Sequence, residues 1–328
     1  MTREKQFGFS LLETMVSIAV LFAVGSIVMS GMMQLLKTQS TIANRTEMHS
    51  SVRSATELLQ QEIGQAGRIA LGVPTANVSL ASAVTAGSGA TAIATAFTLT
   101  ATPNPTTVPL IVYPGEVLTV DVGPNQEAVT VAAGTGSSGT AIFQVPHANG
   151  APVSVLGAFA TGIVPPAAAP SSYTNGSTAT VLKLYGDING DGNMVYVEYT
   201  CTQGTSAAPG FLYRNQMPVT QVGKPAKDNT MILLANVLTN PNDTGGNPVP
   251  CFAYQVQPLG STYCVTDVAV TLTVQTQNKD QQTRQFQPET KALLNVAPRN
   301  VFEVYDTASL VDPTRAQPMP ASVTALLP

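Results

Sequence analysis

The stretch QFGFSLLETMVSIAVLFAVGSIVMSGMMQLLK, Gln6 to Lys37, decides how the chain begins. Between Phe9 and Leu36 it carries one charge, Glu13. Thr14 to Leu36 is uncharged and spans 23 residues, long enough to cross a bilayer as a helix. Arg3 and Lys5 stand ahead of it, which fits an N-terminus left on the cytoplasmic side. The run is too long for the core of a secretory signal, and no Ala-x-Ala site follows it before Lys37. An ionised carboxylate in hydrocarbon costs about 2.5–3.5 kcal/mol on insertion scales, so Glu13 needs a reason.

The helical pattern continues past Lys37. There is no proline from Gln34 to Ala70, and Val52, Ala55, Leu59, Glu62/Ile63, Ala66 and Ile69 recur at helical spacing. One helix is expected over residues 9–71, with the span at about 14–36, reaching roughly 90 Å at 1.5 Å per residue. Gly67 and Gly72-Val73-Pro74 should end it. Its second half is amphipathic and predicts packing on a sheet.

Beyond the helix the pattern turns to β. Residues 72–178 read as an inserted all-β module with Ala/Thr/Ser/Gly/Pro-rich linkers at 72–95 and 160–178. Residues 179–305 read as an antiparallel sheet domain, with Val268, Val270, Leu272 and Val274 on one face of a long strand. Residues 306–328 are Pro-rich and read as a disordered tail. The fold class is therefore α+β: a long N-terminal helix packed on an antiparallel sheet, with a small all-β insertion.

The net charge of −4 and a charged fraction of 10% argue against a nucleic-acid binder, which needs a basic face. No Lys or Arg occurs between Arg68 and Lys183. The two histidines are His49 and His147, and no nucleophile elbow, zinc-protease motif or phosphate loop is present. No catalytic residue is assigned, and the chain is not read as an enzyme. His147 sits in a "PHANG" turn and is read as a solvated loop residue. Of three cysteines, Cys251 and Cys264 flank FAYQVQPLGSTY, a hairpin-like segment, and are expected to bond, leaving Cys201 free.

"DINGDGNMVYVE", Asp187 to Glu198, matches a calcium-loop string. Asp187, Asn189, Asp191 and the carbonyl of Asn193 would supply oxygens. Glu198 is set aside, because a strand starting at Met194 carries it about 13 Å away. The same residues suit a plain hairpin turn. Both readings stand, and no other cofactor is expected.

A short charged leader, MTREKQFG, followed by "FSLLE" and an apolar span resembles the processing signal of type IV pilins and pseudopilins. The resemblance implies a leader at residues 1–8, cut between Gly8 and Phe9 by a membrane-bound prepilin peptidase that then methylates the new N-terminus. Glu13 becomes the fifth residue of the mature chain. Its carboxylate could then neutralise the Phe9 ammonium of a neighbour inside a filament, setting axial register. The later order also resembles PilW-like minor pilins and GspJ-like pseudopilins: a "DINGDG" hairpin, a "FLYR" strand, a "DVAVTLTV" strand and a terminal "RNV". What this implies is a structural minor pilin that primes or caps a type IV pilus. It would begin as a single-pass protein of the bacterial inner membrane, its C-terminal domain extracytoplasmic, and later reach the cell surface. The implied partners are the peptidase, other pilin subunits and the assembly platform. The alternatives are a pseudopilin of a type II secretion system and a membrane-anchored surface-binding protein. The chain lacks the mid-span proline common in major pilins, since its first proline is Pro74.

Overall fold

The computed structural model describes residues 10–87, 93–103, 108–310 and 312–328. The chain divides into two compact units: residues up to Ser51 with Gln275–Pro288, and Val52–Val274 with Glu289–Pro328. The first element, α1 (Leu11–Gln65), is one unbroken helix of 55 residues.

In the first unit, the loop over residues 276–287 is organised by Asp280. Its Oδ1 accepts the Gln282 and Thr283 N–H groups at 2.8 Å, and its Oδ2 accepts the Thr41 hydroxyl of α1 at 2.9 Å. Arg45 donates to Gln287, and the Asn278 amide to Asn44. These bonds, the Thr283 N–H first and the Thr41 hydroxyl next, hold the Asp280 carboxyl down at about 2.

The second unit contains two antiparallel sheets. The inserted sheet uses β1 (Asn77–Leu80), β2 (Thr95–Thr102), β3 (Val117–Val120), β4 (Glu127–Thr135), β5 (Ser138–Ala141) and β6 (Val153–Val155), ordered β1-β2-β5-β4-β3-β6. Alternation places Phe97, Leu99 and Ala101 of β2 inward, against Leu118, Val129, Val131 and Phe143. β1 lies within the expected linker at 72–95, and its Leu80 is fully buried. A short strand, β7 (Ala158–Phe159), follows.

The second sheet uses β8 (Val181–Gly186), β9 (Val195–Thr202), β10 (Gly210–Pro218), β11 (Ile232–Leu238), β12 (Phe252–Leu259), β13 (Thr262–Gln275) and β14 (Pro288–Val296). The order is β12-β13-β11-β10-β9-β8, with β14 also on β13. Val268, Val270, Leu272 and Val274 of β13 are buried together, as their alternation predicts. The 52–65 part of α1 buries Val52, Ala55, Leu59 and Ile63.

The helix stops where Gly67 takes φ +83°, a conformation glycine adopts without strain. A Cβ on Gly67 would come within 2.8 Å of the Phe159 carbonyl, and one on Gly162 within 2.1 Å of the Gly67 Cα. The Gly67 N–H bonds to the Tyr185 carbonyl, and the Phe159 N–H to the Gly67 carbonyl, both at 2.9 Å. The Asn300 amide donates to the Gln65 and Ala66 carbonyls, two of the acceptors a helix end leaves open.

Three expectations are corrected. The stretch from 160 is no linker at its start: Ile163 and Val164 are fully buried, because an apolar Ala/Pro-rich strip can pack without any period. The tail is not disordered. After α2 (Arg299–Leu310) come β15 (Ala316–Gln317), parallel to β7, and α3 (Ala321–Leu326). Val323, Leu326 and Leu327 enter the core beside Tyr113, Phe159 and Tyr196. The Lys183 ammonium bonds to the Leu327 and Asn175 carbonyls.

The third correction is the disulfide, which joins Cys201 to Cys251 and leaves Cys264 as a buried thiol. The β12–β13 register explains the change. Cys264 faces Gln257, while Cys251 lies at the far end of β12 and its carbonyl accepts the Thr271 N–H. Seven residues of β13 therefore separate Cys264 from the residue beside Cys251, about 23 Å at 3.3 Å per residue. Residues 179–180 bring the real pair together: the Cys201 N–H bonds to the Thr180 carbonyl, and the Phe252 N–H to the Ala179 carbonyl.

Candidate functional site

The functional candidates lie on α1 and at two polar clusters in the second unit. Gly8 and Phe9 lie outside the described residues. At the start of α1, the Ser10 Oγ accepts the Glu13 N–H at 3.2 Å, and the Ser10 carbonyl accepts the Thr14 N–H at 3.1 Å. Ser10 is thus an N-cap, and Ser-Leu-Leu-Glu has the sequence form of a capping box. This signal was readable in "FSLLE" and gives Glu13 a local role: an acid in the first turn opposes the positive helix end.

From Leu11 to Leu36 the apolar side chains face outward, with Leu11 79%, Phe22 73% and Ile27 72% exposed. The most apolar window has a mean hydropathy of 2.2 and none of it is buried. The helix is apolar all round, as a membrane-spanning or bundled helix must be. Three of its hydroxyls turn back onto the helix: Thr14 to the Ser10 carbonyl at 3.0 Å, Ser17 to that of Glu13 at 2.8 Å, and Ser26 to that of Ala23 at 2.8 Å. Each of these three then brings its own acceptor into an apolar surrounding. The Glu13 carboxylate differs: among the described residues it has no hydrogen-bond or ion-pair partner.

Where α1 is covered, a second carboxylate behaves in the opposite way. Glu62 is 3% exposed. The Tyr199 hydroxyl of β9 donates to its Oε2 at 2.5 Å, and Arg214 of β10 embraces both oxygens, with Nε at 3.1 and 3.2 Å. Burial first, then the Glu62 charge, pushes the Tyr199 phenol well above its ordinary range. Sequence periodicity placed Glu62 on the inner helix face beside Ile63, but only the sheet supplies its partners.

The Asp187 loop forms a turn between β8 and β9. The Asp187 Oδ1 accepts the Asp191 and Gly192 N–H groups at 3.0 and 3.2 Å, and the Asp191 Oδ1 accepts the Asn193 N–H at 2.9 Å. The buried Asp187 Oδ2 lies 3.5 Å from the Arg68 guanidinium. Asn189 is exposed. Glu198 is held by Tyr196 at 2.9 Å and Lys224 at 2.8 Å. These residues do not fit a calcium cage, which needs six to eight oxygens aimed at the ion and no guanidinium beside them. Among the described residues no group of three or more His, Cys, Asp or Glu side chains is placed to hold a metal.

The expectation that His147 is a solvated loop residue is overturned. Its side chain is fully buried, with Nδ1 3.2 Å from the Asp121 Oδ2 and Nε2 2.7 Å from the Glu127 Oε1. The Phe143 ring packs against it at 5.7 Å. Turn chemistry in "PHANG" signals a loop but not what folds over it. In the same module Glu116 is 1% exposed, and the hydrogen bond found for its carboxylate is the Tyr113 N–H at 3.3 Å. Burial pushes the Glu116 carboxyl up to about 8.

No family model matches this chain, and neither a curated protein nor a solved structure does. What is established is one N-terminal helix long and apolar enough to span a membrane, followed by antiparallel β-sheets.

Proposed function

We propose that the chain is a minor pilin-like subunit: a single-pass membrane protein whose N-terminal helix passes from the bilayer into the dry core of a type IV filament. The observation that carries this reading is the state of Glu13. It is the one carboxylate on a helix surface apolar all round, it lies at the capped first turn, and it is unpartnered among the described residues. A plain anchor gains nothing from it beyond capping. A filament gains a counter-charge for the N-terminal ammonium of a neighbour, which offsets the burial of both.

Processing and assembly are separate steps and can be tested separately. Gly8→Val is expected to leave the chain uncut and in the membrane. Glu13→Ala is expected to be cut normally yet to be depleted from sheared filaments. Glu13→Gln keeps the shape and capping ability but loses the charge, so it should fail like Glu13→Ala. Filaments carrying Glu13→Gln at wild-type levels would reduce Glu13 to a helix cap.

A further inference from the structure

We propose that His147, Asp121 and Glu127 form a proton-sensitive lock that couples the fold of the inserted module to pH. Each ring nitrogen faces a carboxylate oxygen, at 3.2 and 2.7 Å. A ring with both nitrogens protonated donates to both carboxylates, and the lock as proposed is this imidazolium held between two carboxylates.

The lock ties the turn between β3 and β4 to the loop that carries His147, 20 and 26 residues further on. Asp121 follows β3 in a left-handed conformation, φ +67°, and its Oδ1 accepts the Val122 N–H at 2.8 Å. Glu127 opens β4, and its two oxygens also accept the Gln144 and Val145 N–H groups at 2.8 and 3.3 Å. The His147 backbone pairs with Val84 in both directions, at 2.9 and 3.1 Å, and the Gly87 N–H reaches the Phe143 carbonyl at 2.8 Å.

Few other groups can interfere. From Ile69 to Leu182 the ionisable side chains are Tyr113, Glu116, Asp121, Glu127, His147 and Tyr173. The side chains found against the ring are Asp121, Glu127 and Phe143, of which two titrate. A three-group charge cluster in a module otherwise nearly free of charge is a localised sensor.

Both directions of pH open it. Removing one ring proton turns a nitrogen lone pair toward a carboxylate oxygen. In acid, protonating a carboxylate removes the charge that holds the ring. Asp121 is held below the ordinary carboxylate range, by the Val122 N–H first and by His147 next. Its contribution is therefore present above the ordinary range and lost as pH falls through the lowered folded value.

The test is native-state hydrogen exchange of the full chain in detergent, from about pH 2 to 9, a range that reaches below ordinary carboxylate titration and above that of imidazole. Rates are corrected for intrinsic exchange at each pH. Protection of the Val84, Gly87 and His147 amides should peak within the range and fall roughly 10- to 100-fold toward both ends, the loss of a charge-assisted bond. The same scan in Glu116→Gln removes the other titrating carboxylate, and the peak should persist. In Glu127→Gln the amide can donate to a neutral ring, so the alkaline fall should flatten. A flat wild-type profile, a peak that vanishes with Glu116→Gln, or an alkaline fall unchanged by Glu127→Gln would overturn the proposal.

Discussion

At the scale of single residues, burial decides what each carboxylate does. Glu116 is buried without a cation, so its folded value is raised above an ordinary 4.5 to about 8. For a raised acid the sign is unfavourable: the cost begins above the ordinary value and is complete above the folded one. At neutral pH it is on the order of 3 kcal/mol. Glu116→Gln should therefore raise the melting temperature at pH 8 and change it little near pH 5. Melts at those two values check this, and equal gains at both would show that the charge is not the cause. Glu62 is the converse, since Tyr199 and Arg214 satisfy it. Glu62→Ala leaves Arg214 without its counter-charge and should destabilise by about 3–5 kcal/mol, the cost of breaking a buried pair. Urea unfolding measures that directly, and a loss below about 1 kcal/mol would mean the pair is effectively solvated. At the Asp187 turn, millimolar calcium should leave the melting temperature unmoved, because Arg68 already stands against the carboxylate. A shift abolished by Asp187→Ala would reverse that conclusion.

At the scale of elements, two covalent or near-terminal features hold the sheets. The Cys201–Cys251 bridge closes a separation of 50 residues, which contributes about 4 kcal/mol in the chain-entropy model. Non-reducing peptide mapping should recover Cys201 with Cys251, and alkylation should reach Cys264 only after unfolding. Cys264 is buried, and burial pushes its thiol up to about 11, which suppresses the reactive thiolate. The second feature is α3. Leu326 is fully buried beside Val323 and Leu327, so Leu326→Ala should cost about 2–5 kcal/mol. A loss under about 0.5 kcal/mol, the range of ordinary surface sites, would mean that the C-terminal helix frays from the core.

At the scale of the molecule, the division between sequence and tertiary structure follows from which interactions are local. The sequence by itself determined the long helix, its apolar first half, its stop at Gly67 and the buried face of β13. Each rests on a period of 3.6 or 2, or on a backbone conformation that one residue type allows. The Ser10–Glu13 cap was equally local, and it was legible though unread. Tertiary structure alone decided the cysteine pairing, because strand register, and not closeness in sequence, sets which sulfurs meet. It also decided that the Pro-rich tail folds, since Val323, Leu326 and Leu327 have no partner until Tyr113, Phe159 and Tyr196 gather from elsewhere in the chain. The partners of Glu62 and His147 lie 20 to 152 residues away in sequence, so no local pattern announces them. A carboxylate or an imidazole has no period of its own. Its role is set by whatever the fold brings within about 3 Å, and that distance exists only after the sheets have formed.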